Sequence, residues 1–280
     1  MSEDLRTERK GMLLAVKDLP TLPRVLEQVA KLLEDPLSST EQVAKLISRD
    51  QVLSAKVLKM VNSPVYGFPG RISTIQHGLV LLGYNVIKGL IISTSVFELM
   101  TTSMSGLWEH SVGCAMACGV IAREAGFKEP EEYAVAGLLH DLGKVIVSLQ
   151  LPEAKEEVEQ AVAEGDLFYL EAEKKVLGFG HDRVNSWVAD HWNLPLNLKV
   201  GISGHHRPVS AQHYPKMACV VHVGDFLTRV LEIGSGGEDH VPALDPQALE
   251  LLGLDLSRLD IVLDAMVAEM EDDGLSMGLG

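Results

Sequence analysis

Ala134-Val135-Ala136-Gly137-Leu138-Leu139-His140-Asp141-Leu142-Gly143-Lys144 carries the reading of this chain. An apolar run leads straight into a histidine, an aspartate and a lysine. On a helix, adjacent residues point about 100° apart, so His140 and Asp141 can reach one metal from two sides, or let the carboxylate bridge two metals. Gly143 lets the chain turn without a Cβ penalty. Lys144, three residues beyond Asp141, can reach over the same site, where a cation would meet an anionic substrate.

Residues of the same character flank this run. His110 stands 30 positions upstream in Trp-Glu-His-Ser. His181 opens a helix after Gly178-Phe179-Gly180, His205-His206 follow Ser203-Gly204, and Asp225 sits in His-Val-Gly-Asp with His222 one turn before it. Imidazole and carboxylate together suit Zn, Fe, Mn or Ni better than Ca or Mg. The remaining histidines, His77, His191, His213 and His240, read as ordinary core or surface residues. Asp182 reads as a first-turn residue favoured by the helix dipole. Trp108, Trp187 and Trp192 read as core or cleft wall.

Outside the site, helical periodicity dominates. Leu26, Val29, Ala30 and Leu33 form an apolar stripe, with Pro23 at its start and Pro36 beyond its end. Ser39 and Gln42 make a capping box, Asp50 an N-cap, and the helix after Asp50 stops near Asn62-Ser63-Pro64. Tyr66–Gly70 reads as a loop. Ser73 and Gln76 form a second capping box, opening a helix that stops at Gly83, and Asn85–Met100 is another.

Thr101–Gly106 is a small polar break. Helices resume at Leu107–Glu124, Glu131–His140, Pro152–Gly165, Leu167–Leu177, His181–Trp192, Leu196–Ser203 and Pro215–Leu231, then Pro246–Leu252 and Leu256–Met270. Gly234–Asp239 is a loop. No convincing strand emerges; Lys144–Leu149 reads equally well as helix. The chain divides into an N-terminal segment (1–16), an N-terminal helical subdomain (17–106), a metal-binding helical subdomain (107–232) and tail helices (241–274), the last residues fraying. The fold class is all-α, with the first subdomain packed on a helical bundle.

Composition narrows the partners. The 280 residues are 46% hydrophobic and 22% charged, with a formal charge of −15. A surface that acidic repels nucleic-acid phosphates, so duplex binding is not expected. Three cysteines are too few for a disulfide framework, and Cys114 and Cys118, four apart, read as small packing residues. Met1–Lys10 is charged and Met12–Val16 too short for a secretory signal, which points to the cytoplasm. Ile72–Phe97 is the most apolar stretch, but Gln76, His77, Asn85 and Lys88 interrupt it, so core helices are expected rather than a membrane span.

The set His110, His140-Asp141 and Asp225 resembles the H…HD…D pattern of HD-superfamily metal-dependent phosphohydrolases, and 140–144 has their HD-x-G-K form. His181, His205 and His206 are similar to the second-metal ligands of the HD-GYP branch. The N-terminal half, through Leu19-Pro20-Thr21-Leu22-Pro23, Asp50 with Leu53, Lys56, Val57 and Leu58, Asn62-Ser63-Pro64, and Ile75–Leu82 before Gly83, resembles the HDOD (HD-related output domain) family. The resemblance covers roughly positions 17 to 230.

That resemblance implies a two-metal centre. His110, His140, Asp141 and Asp225 would hold one divalent transition metal; His181, His205 and His206 would hold the other, with Asp141 bridging. Iron is the first candidate, with Mn, Zn or Ni as others. It implies a bacterial signal-transduction protein working through a protein partner, with a site that hydrolyses a phosphoester of a nucleotide or cyclic dinucleotide. Asp141, Lys144 and Arg207 would serve that chemistry. Two other readings stay open: a non-catalytic signalling module with a structural metal, and an HD-type di-iron oxygenase. Arg207-Pro208-Val209 after the histidine pair departs from the HD-GYP pattern, having neither an acidic residue nor Gly-Tyr-Pro, and this weighs against cyclic-di-GMP as substrate.

Overall fold

A computed structural model describes residue 11, residues 28–29, 32, 38–66, 72–165 and 167–273. Within them the helices are α1 (Thr40–Ile47), α2 (Gln51–Val61), α3 (Ile75–Ser103), α4 (Leu107–Glu124), α5 (Pro130–Leu139), α6 (Leu142–Gln150), α7 (Pro152–Gly165), α8 (Tyr169–Val176), α9 (His181–His191), α10 (Leu196–Gly204), α11 (Pro215–Val230), α12 (Pro246–Leu252) and α13 (Leu256–Asp273). No strand occurs among the described residues.

Local chemistry sets the boundaries. Ser39 and Gln42 form the reciprocal capping box of α1. Asp50 accepts from the Leu53 N–H at the start of α2. Asn62 ends α2, and its side chain clamps the chain at Ile72 by accepting from the Ile72 N–H and donating to the Ile72 carbonyl. The second expected box is corrected: α3 is capped by Thr74, whose hydroxyl accepts from the His77 N–H, so the helix begins one residue later than Ser73 and Gln76 implied. Gly83, at φ 75° and ψ 172°, breaks α3 where the sequence placed the stop; a left-handed φ costs glycine nothing. The second half runs on to Ser103, so the break before α4 narrows to Met104–Gly106.

The early stripe is seen only in part. Gln28, Val29 and Leu32 are helical and Val29 is fully buried. Leu26, Ala30, Leu33, Pro23, Pro36, the Leu19–Pro23 stretch, the N-terminal segment bar residue 11, most of the Tyr66–Gly70 loop and the expected fraying end lie outside the described residues.

Helix α4 is the hub. Nearly all of its residues are buried, as expected for a helix apolar or small on every side. It packs most extensively on α5, then on α11, while α10 closes against α5 and α11, and α9 against α6 and α10. Small residues allow this: a Cβ at Gly137 of α5 would stand 2.7 Å from the Cys114 carbonyl oxygen of α4. Cys114 and Cys118 are buried, with Sγ atoms 4.0 Å apart, in the packing role expected of them. The N-terminal helices α1 and α2 pack on α3, and α3 packs on α5 and α6, so one core runs through the described chain. Ile75–Phe97 is long and apolar enough to cross a membrane, but 67% of its most apolar window is buried inside the protein.

Candidate metal centre

The His140-Asp141 pair lies on a joint. Helix α5 ends at Leu139, His140 is its C-cap, and Asp141, at φ −100° and ψ 11°, precedes α6. The helix expected over Glu131–His140 thus ends where the sequence placed it, to within one residue, but Asp141 lies beyond it rather than on the same helix as His140. The ladder is broken because the His140 N–H turns to the Gly137 carbonyl and the Lys144 N–H starts α6 on the Asp141 carbonyl.

All seven expected side chains converge on this joint. His110 comes from α4, His181 from the first residue of α9, His205 and His206 from the end of α10, and Asp225 from α11. The ligand atoms of His110, His140 and Asp225 lie within 4.8 Å of one another, as do those of His181, His205 and His206. Asp141 stands between the groups. Its Oδ2 is 3.4 Å from His140 Nε2 and 3.8 Å from His110 Nε2; its Oδ1 is 3.3 Å from His181 Nε2. Asp225 Oδ1 is 3.0 Å from His110 Nε2 and 3.7 Å from His140 Nε2. The Nε2 atoms of His110 and His140 are 3.3 Å apart, and those of His181 and His206 2.8 Å. All seven are buried except His206, which is partly exposed.

The outer nitrogens fix the orientation. His140 Nδ1 donates to the Gly137 carbonyl at 2.7 Å, His205 Nδ1 to the Ile202 carbonyl at 3.0 Å, and His181 Nδ1 to Glu173 Oε2 at 2.6 Å. With a proton held outward on Nδ1, it is Nε2 that faces the cluster, the orientation a cation requires of imidazole.

Charge is arranged to match. For Asp141, burial alone would raise the pKa, but His140 and Lys144 hold the carboxyl well below its usual range. Asp225 is likewise depressed against burial, by Arg229 and then His110. Burial, then His140 and His181, drives His205 well below the usual histidine value; burial, then His205 and His181, does the same to His206. Burial also lowers His110, only partly opposed by Asp225. His140 is the exception: burial is outweighed by Asp141 and Cys114, so it is pushed well up and retains a proton while no cation is bound.

Several supporting residues carry no metal-like motif. Glu173 on α8, fully buried, accepts from both the N–H and Nδ1 of His181. Asn185 on α9 accepts from the Gly143 N–H at 2.7 Å and donates to the carbonyls of His140 and Ile202, tying the joint to α9 and α10. Arg229 donates to Asp225 at 2.8 Å and to Glu238 at 2.7 Å. His222 donates to the His205 carbonyl and accepts from the Asp245 N–H. Glu173 and Asn185 share one weak signal in the sequence: each is a polar residue on an otherwise apolar stripe, beside Tyr169 and Ala172, or Val184 and Val188.

Two expectations near the joint are corrected. Lys144 does not reach over the site: it is buried, with Nζ bonded to Asp141 Oδ2 at 2.7 Å and the Gly236 carbonyl at 2.8 Å, 5.0 Å from the centre of the Tyr169 ring. Gly143 lies within α6 rather than in a turn; it is needed because the His181 backbone crosses directly over it. Asp182 lies in the first turn of α9 as expected, and is buried to 3% exposure.

The donor set fits a pair of cations. Asp141 Oδ1 and His205 Nε2 are buried, face the cluster, and have no hydrogen-bond partner among the described residues. Leaving such atoms unsatisfied costs about 1–3 kcal/mol each, which a ligand would remove. Two donors about 2.1 Å from one tetrahedral ion stand about 3.4 Å apart, close to the separations found here.

Comparison with known proteins bears on the family. A family model described as the HDOD domain matches residues 19–208. An uncharacterized protein of Treponema pallidum (strain Nichols) is 24% identical over 223 residues, which is 78% of this chain and 43% of that protein. The uncharacterized protein YuxH of Bacillus subtilis (strain 168) is 32% identical over 133 residues, 44% of this chain and 32% of its own length. The chain therefore spans less than half the length of these curated relatives. Among solved structures, an HDOD domain protein of unknown function from Geobacter sulfurreducens is 28% identical at a TM-score of 0.68, covering 96% of this chain and 94% of the other. A Shewanella amazonensis SB2B protein to which phosphohydrolase activity is attributed by inference is 25% identical at a TM-score of 0.69, covering 96% and 97%.

Proposed function

This chain belongs to the HDOD domain family, and we propose that its joint is a dinuclear transition-metal centre that hydrolyses a phosphoester. The observation that carries the proposal is Asp141, whose two oxygens face two separate histidine groups while Oδ1 accepts no hydrogen bond among the described residues. His110, His140, Asp141 and Asp225 would hold one cation. His181, His205, His206 and the second oxygen of Asp141 would hold the other. Iron is the first candidate on the mixture of imidazole and carboxylate. Bound cations would supply Lewis acidity toward a phosphoryl oxygen and toward water.

The protein's own part is to hold these atoms still and keep their charge in balance. Lys144 and Arg229 each place a positive charge behind a carboxylate, so that Asp141 and Asp225 stay ionised in a buried site. Glu173 sets the tautomer of His181, and Asn185 locks the joint against α9 and α10. Partial exposure of His206 makes the side of the second position the open one, where a substrate would arrive.

Cation uptake should depend on pH with a definite sign. The raised pKa of His140 means the metal-free protein carries a proton there that the first cation must displace. Below the raised His140 value, affinity at that position is expected to rise about tenfold per unit increase in pH, because one proton competes, and to level off above it. His205 and His206, neutral already, add no such dependence. Calorimetric titration in buffers of different ionisation enthalpy should find a proton released with the first cation.

Activity is tested with protein loaded anaerobically with Fe(II), and separately with Mn(II), on bis(4-nitrophenyl) phosphate and a panel of nucleotides and cyclic dinucleotides. Turnover that disappears in His206→Ala is expected. A doubly loaded protein with no turnover would favour a signalling module in which the cations are structural. Oxygen uptake dependent on iron and an organic substrate would instead favour oxygenase chemistry.

A further inference from the structure

With Lys144 held on Asp141, Arg207 is left as the cation expected to meet the substrate's anion. The chain is strongly acidic, so an approaching phosphate needs a local cation. Arg207 follows His206, and its side chain is 67% exposed. Its backbone is pinned: the N–H donates to the Gly204 carbonyl at 2.9 Å, and its carbonyl accepts from Ser210 at 3.1 Å. The guanidinium reaches from the end of α10 to the start of α9, where Nη2 lies 3.4 Å from Asp182 Oδ2. His206 and His181 make the same crossing with Nε2 atoms 2.8 Å apart. The two contacts join neighbouring residues on both segments, so Arg207 and Asp182 lie one residue along from the second cation position.

Asp182 is what makes this more than a surface ion pair. It is buried to 3% exposure, and its Oδ1 has no partner among the described residues. A buried carboxylate beneath an exposed guanidinium aims the fork. A single long contact leaves most of the five N–H donors free for an incoming oxyanion.

Resting on the dinuclear reading above, we infer that Arg207 is the residue that binds the substrate's phosphate, with Asp182 as its positioning residue. The substrate class is a small phosphorylated molecule that enters across His206. Lys144 serves Asp141 and takes no part in this contact.

The test uses the full chain loaded with Mn(II), inorganic phosphate as the probe, and calorimetry, with cation content measured on each sample. Arg207→Gln is expected to weaken phosphate binding roughly 10- to 100-fold, the worth of a charge-assisted hydrogen bond or two, while both cations remain. Arg207→Lys should recover part of the loss. Asp182→Asn should weaken binding less, and should have no further effect in the Arg207→Gln background, because it acts only through the guanidinium. Equal phosphate affinity in wild type and Arg207→Gln would overturn the inference and leave the metal assignment standing. So would an undiminished Asp182→Asn effect in the double variant, or a doubly loaded wild type that binds no phosphate. Absence of cations from wild type would instead remove the dinuclear reading on which the inference rests.

Discussion

Gly143→Ala is expected to destabilise the protein by about 3 kcal/mol or more, at the upper end for overpacking a tight interior. The sign is the informative part. Glycine to alanine inside a helix ordinarily gains about 1 kcal/mol from helix propensity. At Gly143 the new Cβ would overlap the His181 carbonyl oxygen and lie 3.0 Å from both the His181 carbonyl carbon and its Cβ. The obstacle is mostly backbone, which cannot swing aside as a side-chain tip can. Relief would push α6 away from α9, stretching the bond from the Gly143 N–H to Asn185 and separating Asp141 from His181. Gly78→Ala is the matched control. Its Cβ would meet Ile87 and Ile72 at 3.4 and 3.8 Å, ordinary contact, so it should be neutral or slightly stabilising. Thermal melts of the pair should separate by roughly 6 °C or more, at about 2–4 °C per kcal/mol for a chain near this size.

Asp141→Ala is expected to abolish binding of both cations, whereas His206→Ala should abolish only one. The difference follows from geometry: each Asp141 oxygen faces a different histidine group, and His206 touches only the second. The alanine also leaves the buried Lys144 ammonium without its carboxylate, a loss of about 3–5 kcal/mol that could unfold the chain. Asp141→Asn guards against that outcome. It keeps the shape and an acceptor for Lys144, yet removes the negative charge between the two groups, so it should fold and still bind poorly. Native mass spectrometry of the three variants reads the counts directly. Two cations retained in Asp141→Asn, at wild-type affinity, would show that Asp141 does not bridge.

Most of the helical architecture was legible in the sequence because its causes are local. A capping box at Ser39, a carboxylate cap at Asp50 and a glycine stop at Gly83 each need only a few neighbouring residues. The seven residues were picked out together through their resemblance to a family pattern, and the fold brings them together. What the sequence hid depends on contacts made across the chain. Nothing near Gly143 announces that the His181 backbone will cross it, and nothing near Lys144 says that the Gly236 carbonyl will accept a hydrogen bond from it. Glu173 and Asn185 look unremarkable until α8 and α9 fold against the joint. The end of α5 at the joint was legible, but the immediate start of α6 was not, because it rests on the hydrogen bond from the Lys144 N–H to the Asp141 carbonyl.

The central claim is that the His110–His140–Asp225 and His181–His205–His206 groups each hold a cation through a shared Asp141. Elemental analysis of wild-type protein, after reconstitution with Fe(II) or Mn(II) and removal of loosely bound ions by gel filtration, tests it most directly. The account predicts close to two cations per chain. No retained cation with either metal, in protein that melts cooperatively, would contradict it.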